Sequence, residues 1–251
     1  NFTGSLLVGH STTGGVSSAL NNTGVGIGAL DALTTGDNNI AIGQNAGTLI
    51  NSGAENVLIG QASGDALTTG NYNVAVGHET LSNEDTNSGN VAVGHLALRA
   101  LNAGADAYNV AVGYFAGLNV TTGVRNTLIG AEAGDALTTG IYNVAVGYAA
   151  LSTEDDSGFN TAIGYGALRS QNASGNGNNV AVGKDAGVNV TTGINNTIIG
   201  ALAGDALQTG SNNTLIGKNA AASAVDVSNE ITFGDSNITN VRIPSDSTLK
   251  I

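Results

Sequence analysis

A five-residue motif that recurs about every seventeen residues constrains the fold of this chain more than any other feature. It consists of an asparagine, a triplet in which a small residue usually lies between two apolar or β-branched residues, and a glycine, as in residues 90–94. A fixed period of this kind predicts a solenoid, in which each unit is covered by the next one. The motif ends at Gly28, Gly43, Gly60, Gly77, Gly94, Gly113, Gly130, Gly147, Gly164, Gly183, Gly200, Gly217 and Gly234, with a weaker relative at Gly9.

The units are themselves grouped into a longer repeat. Units of 17, 17, 17 and 19 residues make a period of 70, so that residues 60–67 return in similar form as residues 130–137 and 200–207. The periodicity leaves no boundary at which the chain divides into domains. We therefore predict one elongated repeat array over residues 1–234, followed by a C-terminal exit or cap segment over residues 235–251.

Each triplet has the pattern of a short strand. Its β-branched residues are two positions apart, as in Thr161 and Ile163, and a period of two predicts a strand with one buried face. The small residue between them gives the other face of the strand, which either packs closely on a second surface or fills the inside of a thin roll. This residue is alanine at Ala41, Ala75, Ala92, Ala111, Ala145, Ala162 and Ala181, and a larger residue at Leu58, Leu128, Ile198 and Leu215.

Units of this length fit stacked strands better than stacked helices. Seventeen residues with two glycines are too short for the helix pair of a helical solenoid. Many units close with Thr-Thr-Gly, and we expect the glycine, as at Gly140, to supply a left-handed turn. The prediction is an all-β, parallel β-solenoid of about fourteen coils of 17–19 residues, roughly 60 Å long at about 4.8 Å per coil.

The asparagine that opens the motif is predicted to form a structural ladder. Stacked coils bring these amides into register, where each bonds to the next and covers the backbone of the turn. A polar recognition stripe is the alternative, but a ligand would not need the same residue in every coil. The predicted ladder comprises Asn39, Asn56, Asn73, Asn90, Asn109, Asn126, Asn143, Asn160, Asn179, Asn196 and Asn213.

Composition excludes several classes of function. The net charge of -12 opposes binding to nucleic acid, and there is no local basic cluster. The chain has no cysteine, which excludes disulfides and thiolate chemistry. No apolar run approaches the length of a membrane span and no signal peptide is retained, so we expect no membrane insertion. The start at Asn1 and the lack of methionine lead us to expect a fragment or a processed product.

The motif, as it stands in residues 143–151, resembles the head repeat of trimeric autotransporter adhesins and the repeat of bacteriophage tail fibres. The seventeen-residue units with Thr-Thr-Gly closures are more similar to the phage-fibre version. The stretch over residues 228–244 is similar to segments that lead out of the array in fibres with a self-cleaving C-terminal chaperone. The resemblance implies a left-handed β-roll and a parallel homotrimer, in which the small-residue faces of three rods would pack on a common axis.

Few residues are candidates for chemistry. His10, His78 and His95 are the only histidines, and they have no catalytic or zinc-ligand spacing. His78 and His95 follow the glycines of adjacent coils and are expected to stack, so a metal site there is the alternative to an exposed pair. The acidic segments at residues 83–85 and 153–156 lack the pattern of calcium-binding β-rolls, and we expect them to be solvated loops.

No enzymatic function or cofactor is predicted. The array lacks the hexad repeat of acyltransferase solenoids, and no catalytic constellation is visible. Ice binding is the competing function, because threonine pairs recur along the array. Adjacent threonines point to opposite sides of a strand, however, and some coils lack the pair, so the lattice would have gaps. The pairs are Thr34-Thr35, Thr68-Thr69, Thr121-Thr122, Thr138-Thr139 and Thr191-Thr192.

The sequence thus predicts a structural and adhesive segment of an extracellular trimeric fibre, either a virion tail fibre or a cell-surface adhesin. Its partners would be two further copies of the chain and a host-surface glycan or protein receptor. Tyrosine suits such contacts because it has an apolar ring and a polar tip. The candidate contact residues are Tyr114, Tyr148 and Tyr165 after the glycine, with Tyr72, Tyr108 and Tyr142 before the strands.

Overall fold

A computed structural model describes residues 5–8, 18–83, 85–104 and 106–240 of the chain. Gly9, His10, Glu84 of the predicted acidic segment, and residues 241–251 of the predicted cap segment lie outside the described residues. The described part contains no helix and fourteen strands of three residues each. The strands are β1 (Leu6–Val8), β2 (Thr23–Val25), β3 (Ile40–Ile42), β4 (Val57–Ile59), β5 (Val74–Val76), β6 (Val91–Val93), β7 (Val110–Val112), β8 (Thr127–Ile129), β9 (Val144–Val146), β10 (Thr161–Ile163), β11 (Val180–Val182), β12 (Thr197–Ile199), β13 (Thr214–Ile216) and β14 (Ile231–Phe233).

All fourteen strands form one parallel sheet in chain order. Each strand pairs with the next in register, so that Val91, for example, lies beside Val110 and Val93 beside Val112. The polypeptide makes a full turn between successive strands and returns beside its starting point, giving a β-solenoid of about 13 turns. The predicted all-β solenoid is confirmed.

One unit of the repeat begins and ends earlier than the sequence motif indicated. Strand β2 pairs with β3 so that Val25 lies beside Ile42, which makes Gly26 the equivalent of Gly43. Both glycines have large positive φ angles, 134° and 139°. The second unit therefore closes its strand at Gly26, whereas the sequence reading placed the end of the motif at Gly28.

The centre of each strand points into the solenoid. The alanines Ala92, Ala111 and Ala145 are 0% exposed, and the β-branched residues on either side of them point outward. The larger residues at this position, including Leu58 and Leu128, are also fully buried. The alternative in which the alanine rows form an external surface is therefore wrong, because the coil encloses the alanine side chains.

A second apolar row faces the strand centres from across the coil. Each of its members lies seven residues after the glycine that follows a strand, which we term the strand-closing glycine. This row and the strand centres together fill the hydrophobic core of the solenoid. Its buried apolar members are Leu33, Ile50, Leu67, Leu101, Val120, Leu137, Val190 and Leu207.

The turns depend on left-handed residues, but not on the glycines predicted to provide them. Glycines of the Thr-Thr-Gly closures, such as Gly140, are absent from the positive-φ residues of the described chain. The left-handed residue comes two positions later, as at Tyr142 with φ 56°. Glycine is required at Gly140 for space, because a Cβ there would meet the carbonyl oxygen of Ser157 in the next coil. The expected left-handed turn at the closing glycine is thus wrong.

Candidate interaction surfaces

The outward side chains of the sheet form a continuous strip, which we term the outer face. It consists of the first and third residues of every strand, all of them valine, isoleucine, leucine, threonine or phenylalanine and none charged. Most are partly exposed, and Ile40, Ile42, Ile163 and Ile199 each expose 39–40% of their surface. Parallel sheets are usually covered on both faces. Here the inner face is covered by the coil and the outer face is open to solvent in the single chain.

The asparagines at the start of the motif are buried beside the sheet and bonded from coil to coil. Asn126 is typical: its Oδ1 accepts the backbone N–H of Asn143 at 2.9 Å, and its Nδ2 donates to the carbonyl oxygen of Gly140 at 2.9 Å. These bonds satisfy backbone groups that would otherwise be unpaired inside the molecule. The arrangement matches a structural ladder, since the amides face the protein interior and not solvent.

The ladder extends beyond the residues expected from the sequence. Asn22, which is also buried, accepts the backbone N–H of Asn39 at 2.8 Å through its Oδ1. At the other end, Asn213 accepts the N–H of Glu230 at 2.9 Å, so a glutamate occupies the next position of the ladder. Asn22 is not among the predicted ladder residues because the sequence motif is placed to end at Gly28 and not at Gly26.

A row of side chains directly follows the strand-closing glycines and flanks the sheet. We term it the post-glycine row. The rings of His78 and His95 stack with centroids 5.1 Å apart, and those of His95 and Tyr114 are 5.3 Å apart. The predicted stacking of the two histidines is confirmed. Tyr148 and Tyr165 form a second stack at 5.3 Å, so the three tyrosines proposed as receptor contacts lie in one row with a gap between Tyr114 and Tyr148.

A second aromatic row lies just before the ladder asparagines. Arg125 donates a hydrogen bond from Nη1 to the hydroxyl of Tyr142 at 2.9 Å, and its Cζ lies 5.4 Å from the centroid of that ring. Phe159, in the next coil, stacks on Tyr142 with the two ring centroids 5.0 Å apart. Tyr72 and Tyr108 belong to the same row and expose 61% and 52% of their surface. These residues present aromatic edges to solvent.

The histidine pair is surrounded by few potential metal ligands. His78 Nε2 lies 3.8 Å from Glu79 Oε1, and Glu79 is itself bridged to Arg99 at 3.1 Å. Over the described ranges of the chain, no three His, Cys, Asp or Glu side chains are grouped so that they could hold a metal ion. Stacked imidazoles with one carboxylate provide too few ligands for a closed zinc site.

One of the acidic loops differs from the expectation of full solvation. Asp155 and Asp156 are exposed, but the side chain of Glu154 is 0% exposed. Its Oε1 accepts the backbone N–H groups of Asp155 and Ser157 at 3.1 and 2.9 Å. Burial raises the pKa of the Glu154 carboxyl, and the hydrogen bonds from Ser157 and Asp155 oppose this effect. The expectation of a solvated loop is wrong at Glu154, which lies at the position of the second apolar row.

The threonine pairs do not form a free hydroxyl lattice. The hydroxyl of the first threonine donates to a carbonyl oxygen in the next coil, as from Thr121 to Thr138 and from Thr191 to Gln208, both at 3.2 Å. The second threonine of each pair, such as Thr122, is exposed. Half of the hydroxyls of the predicted ice-binding array therefore already serve to join the coils.

Comparisons of the chain with models of known protein families, with curated proteins and with solved structures found no match. Among the residues that the structure describes, no helix is long and apolar enough to cross a membrane.

Proposed function

We propose that this chain is a rod-like segment of an extracellular homotrimeric fibre, in a virion tail fibre or a cell-surface adhesin, that spaces or presents receptor-binding surfaces. The observation that carries the proposal is the outer face, an uncharged strip of apolar and threonine side chains that runs along all fourteen strands. An exposed apolar strip along one side of a rod is explained if that side is covered by other copies in the assembled molecule.

The size of the outer face supports an interface. Strands of three residues stacked over the array give a strip about 10 Å wide and roughly 60 Å long, on the order of 600 Å². Monomeric proteins rarely expose continuous apolar patches above about 300–600 Å². Because the strip runs through all fourteen strands in register, parallel copies would bury it along its whole length by closed rotation about an axis beside the rod. The resemblance of the repeat favours three copies.

The remaining surface suits a fibre that presents contacts at fixed intervals. Backbone hydrogen bonds join each coil to the next, and the buried asparagine ladder reinforces them. Such continuous bonding resists bending and proteolysis. The post-glycine row displays Tyr114, Tyr148 and Tyr165, which are 45–50% exposed, and these are the proposed contacts for a glycan or protein receptor.

The test is the mass of the protein in solution, measured by light scattering at micromolar concentration before and after heating in detergent. A mass three times that of the 24.7 kDa chain is expected for the wild type. The variant V112K/V146K places two cations on the outer face and is expected to be monomeric. The control T122K carries its lysine on an exposed turn and should remain trimeric. A monomeric wild type would overturn the proposal and would make inhibition of ice growth the next activity to assay.

A further inference from the structure

We propose that Tyr114, Ala131 and Tyr148 form a slot that binds the guanidinium group of an arginine from a partner protein. The three residues occupy the post-glycine row in three successive coils. Both tyrosines are about half exposed, at 50% and 45%. We term this arrangement the tyrosine slot.

Between His78 and Tyr165 the post-glycine row is an aromatic stack with one ring per coil, and the tyrosine slot is the coil in which that ring is missing. Neighbouring rings of this row lie 5.1–5.3 Å apart, one per coil. Ala131 has no ring, so the two tyrosines are separated by two coil spacings, on the order of 10 Å. Two rings at this separation leave room between them for one planar group in contact with both. Ala131 forms the floor of that space.

The inner faces of both tyrosines are turned toward this space. Tyr165 stacks on the far side of Tyr148, and His95 stacks on the far side of Tyr114. Phe115 also contacts Tyr114, with ring centroids 3.9 Å apart, but its ring is only 5.6 Å from His95. A ring on the opposite side of Tyr114 would lie much farther from His95, so Phe115 leaves the inner face of Tyr114 uncovered.

Six residues earlier in the same three coils, a cationic side chain lies between two tyrosine positions. There the order is Tyr108, Arg125 and Tyr142, with an arginine at the middle level. The Arg125 guanidinium lies 5.4 Å from the Tyr142 centroid and donates to its hydroxyl. Within the post-glycine row itself, Lys184 Nζ lies 5.8 Å from the Tyr165 centroid. Two cationic side chains of this protein, Arg125 and Lys184, therefore already lie beside tyrosine rings of neighbouring coils.

The charges around the tyrosine slot favour a cation. Glu132 is adjacent to Ala131 in the chain, and its carboxylate interacts with the Tyr148 hydroxyl strongly enough to raise the pKa of that phenol. The Glu132 carboxylate acts on the Tyr148 phenol more strongly than the Arg169 guanidinium does. A planar guanidinium stacks on aromatic faces and bonds to carboxylates at the same time. Arginine therefore fits the slot better than the compact ammonium of lysine or an uncharged sugar.

The test is an NMR titration of the protein labelled with ¹³C-tyrosine, using N-acetyl-arginine amide as the probe. Saturable shifts are expected at Tyr114 and Tyr148 and not at Tyr72. N-acetyl-lysine amide should bind several-fold more weakly. The variant E132Q should weaken binding of the arginine probe by roughly three- to tenfold. Tyrosine signals are assigned with single Tyr-to-Phe variants.

The variant A131Y fills the empty level and is expected to abolish binding. Its matched control is A201Y, because Ala201 is the equivalent residue 70 positions later and is flanked by Lys184 and Lys218. Binding that persists in A131Y, the absence of shifts at the two tyrosines, or tighter binding of methyl β-galactoside at the same tyrosines would overturn the proposal.

A role of the tyrosine slot as a receptor contact rests on the proposed fibre function, but binding of the probe does not. Light scattering of the same samples separates the two proposals. A trimer that does not bind the arginine probe contradicts the slot alone. A monomer that binds it contradicts the trimer and leaves the slot in place.

Discussion

Glu154 and Gln171 occupy the same position in two successive coils, and both are buried in a row whose other described members are apolar. Each lies seven residues after a strand-closing glycine, where Leu137 and Val190 stand in the neighbouring coils. Gln171 Oε1 accepts a hydrogen bond from Asn179 at 3.0 Å. Within the described part of the chain, Glu154 Oε2 and Gln171 Nε2 are buried without a hydrogen-bond partner. The core thus contains a partly satisfied polar pair.

The substitution E154Q is expected to stabilise the protein at neutral pH. Burial raises the pKa of Glu154 above its usual value, so folding favours the protonated carboxyl. The stability associated with that form is complete below the usual pKa of glutamate and is lost as the pH rises through the raised pKa. Glutamine keeps an oxygen for the two backbone N–H groups but carries no charge. We expect a gain on the order of 1 kcal/mol at pH 7.

Urea denaturation of the wild type and E154Q at several pH values measures this difference. It should shrink toward zero as the pH falls below the usual pKa of glutamate. The variant D156N is the control, because Asp156 is exposed in the same loop, and its stability should follow that of the wild type. An E154Q protein less stable than the wild type at pH 7 would mean that the carboxylate is a net favourable partner for the N–H groups of Asp155 and Ser157.

Removal of one rung of the asparagine ladder should be costly. Asn126→Ala leaves the buried N–H of Asn143 and the carbonyl of Gly140 without the side chain that bonds to them. Each unsatisfied buried group costs about 1–3 kcal/mol, so a loss of roughly 2–5 kcal/mol is expected. Hydrogen exchange should show faster exchange of the Asn143 amide than in the wild type.

Asn119→Ala provides the matched control for the ladder. Asn119 is exposed, and its Nδ2 donates only to the carbonyl of Asp135, at 2.8 Å. Its loss should cost less than about 1 kcal/mol. Equal effects of Asn126→Ala and Asn119→Ala would show that the ladder contributes no more than a surface hydrogen bond.

The strand-closing glycines should tolerate no side chain. Gly183 has φ 134°, and a Cβ there would lie 2.6 Å from the carbonyl carbon of Gly200 in the next coil. Gly183→Ala is therefore expected to destabilise the protein by more than about 4 kcal/mol, through both clash and strain. Gly175→Ala, eight residues earlier, introduces a Cβ with no heavy atom within 4 Å, at φ 83°. It should cost about 1–2 kcal/mol, as measured by thermal unfolding.

The sequence period predicts the solenoid because every coil obeys it, whereas the direction of each side chain depends on what the coil encloses. The alternation of Val91, Ala92 and Val93 shows a strand but is symmetrical with respect to inside and outside. The structure places Ala92 inside, where it is fully buried, and leaves the two valines partly exposed. Glu154 escaped detection for a related reason: it lies in an acidic run, and only its count from Gly147 places it in the core. The tyrosine slot requires knowledge of which coils are adjacent, and its signal in the sequence is the single Ala131 between aromatic neighbours.

Glu132→Gln should lower the pKa of the Tyr148 phenol toward its usual value. The hydrogen bond from Tyr148 to the Glu132 carboxylate is the main cause of the raised pKa, followed by the negative charge of that carboxylate. The glutamine amide removes the charge.

Ultraviolet titration of tyrosinate measures this effect cleanly, because the chain has six tyrosines and no tryptophan. The difference between the titrations of the parent and its Tyr148→Phe variant isolates Tyr148 in each background. Tyr108, whose pKa is raised mainly by its hydrogen bond to Asp106, should titrate unchanged. An unaltered Tyr148 titration would show that Glu132 does not face this ring, and it would remove the counter-charge from the tyrosine slot.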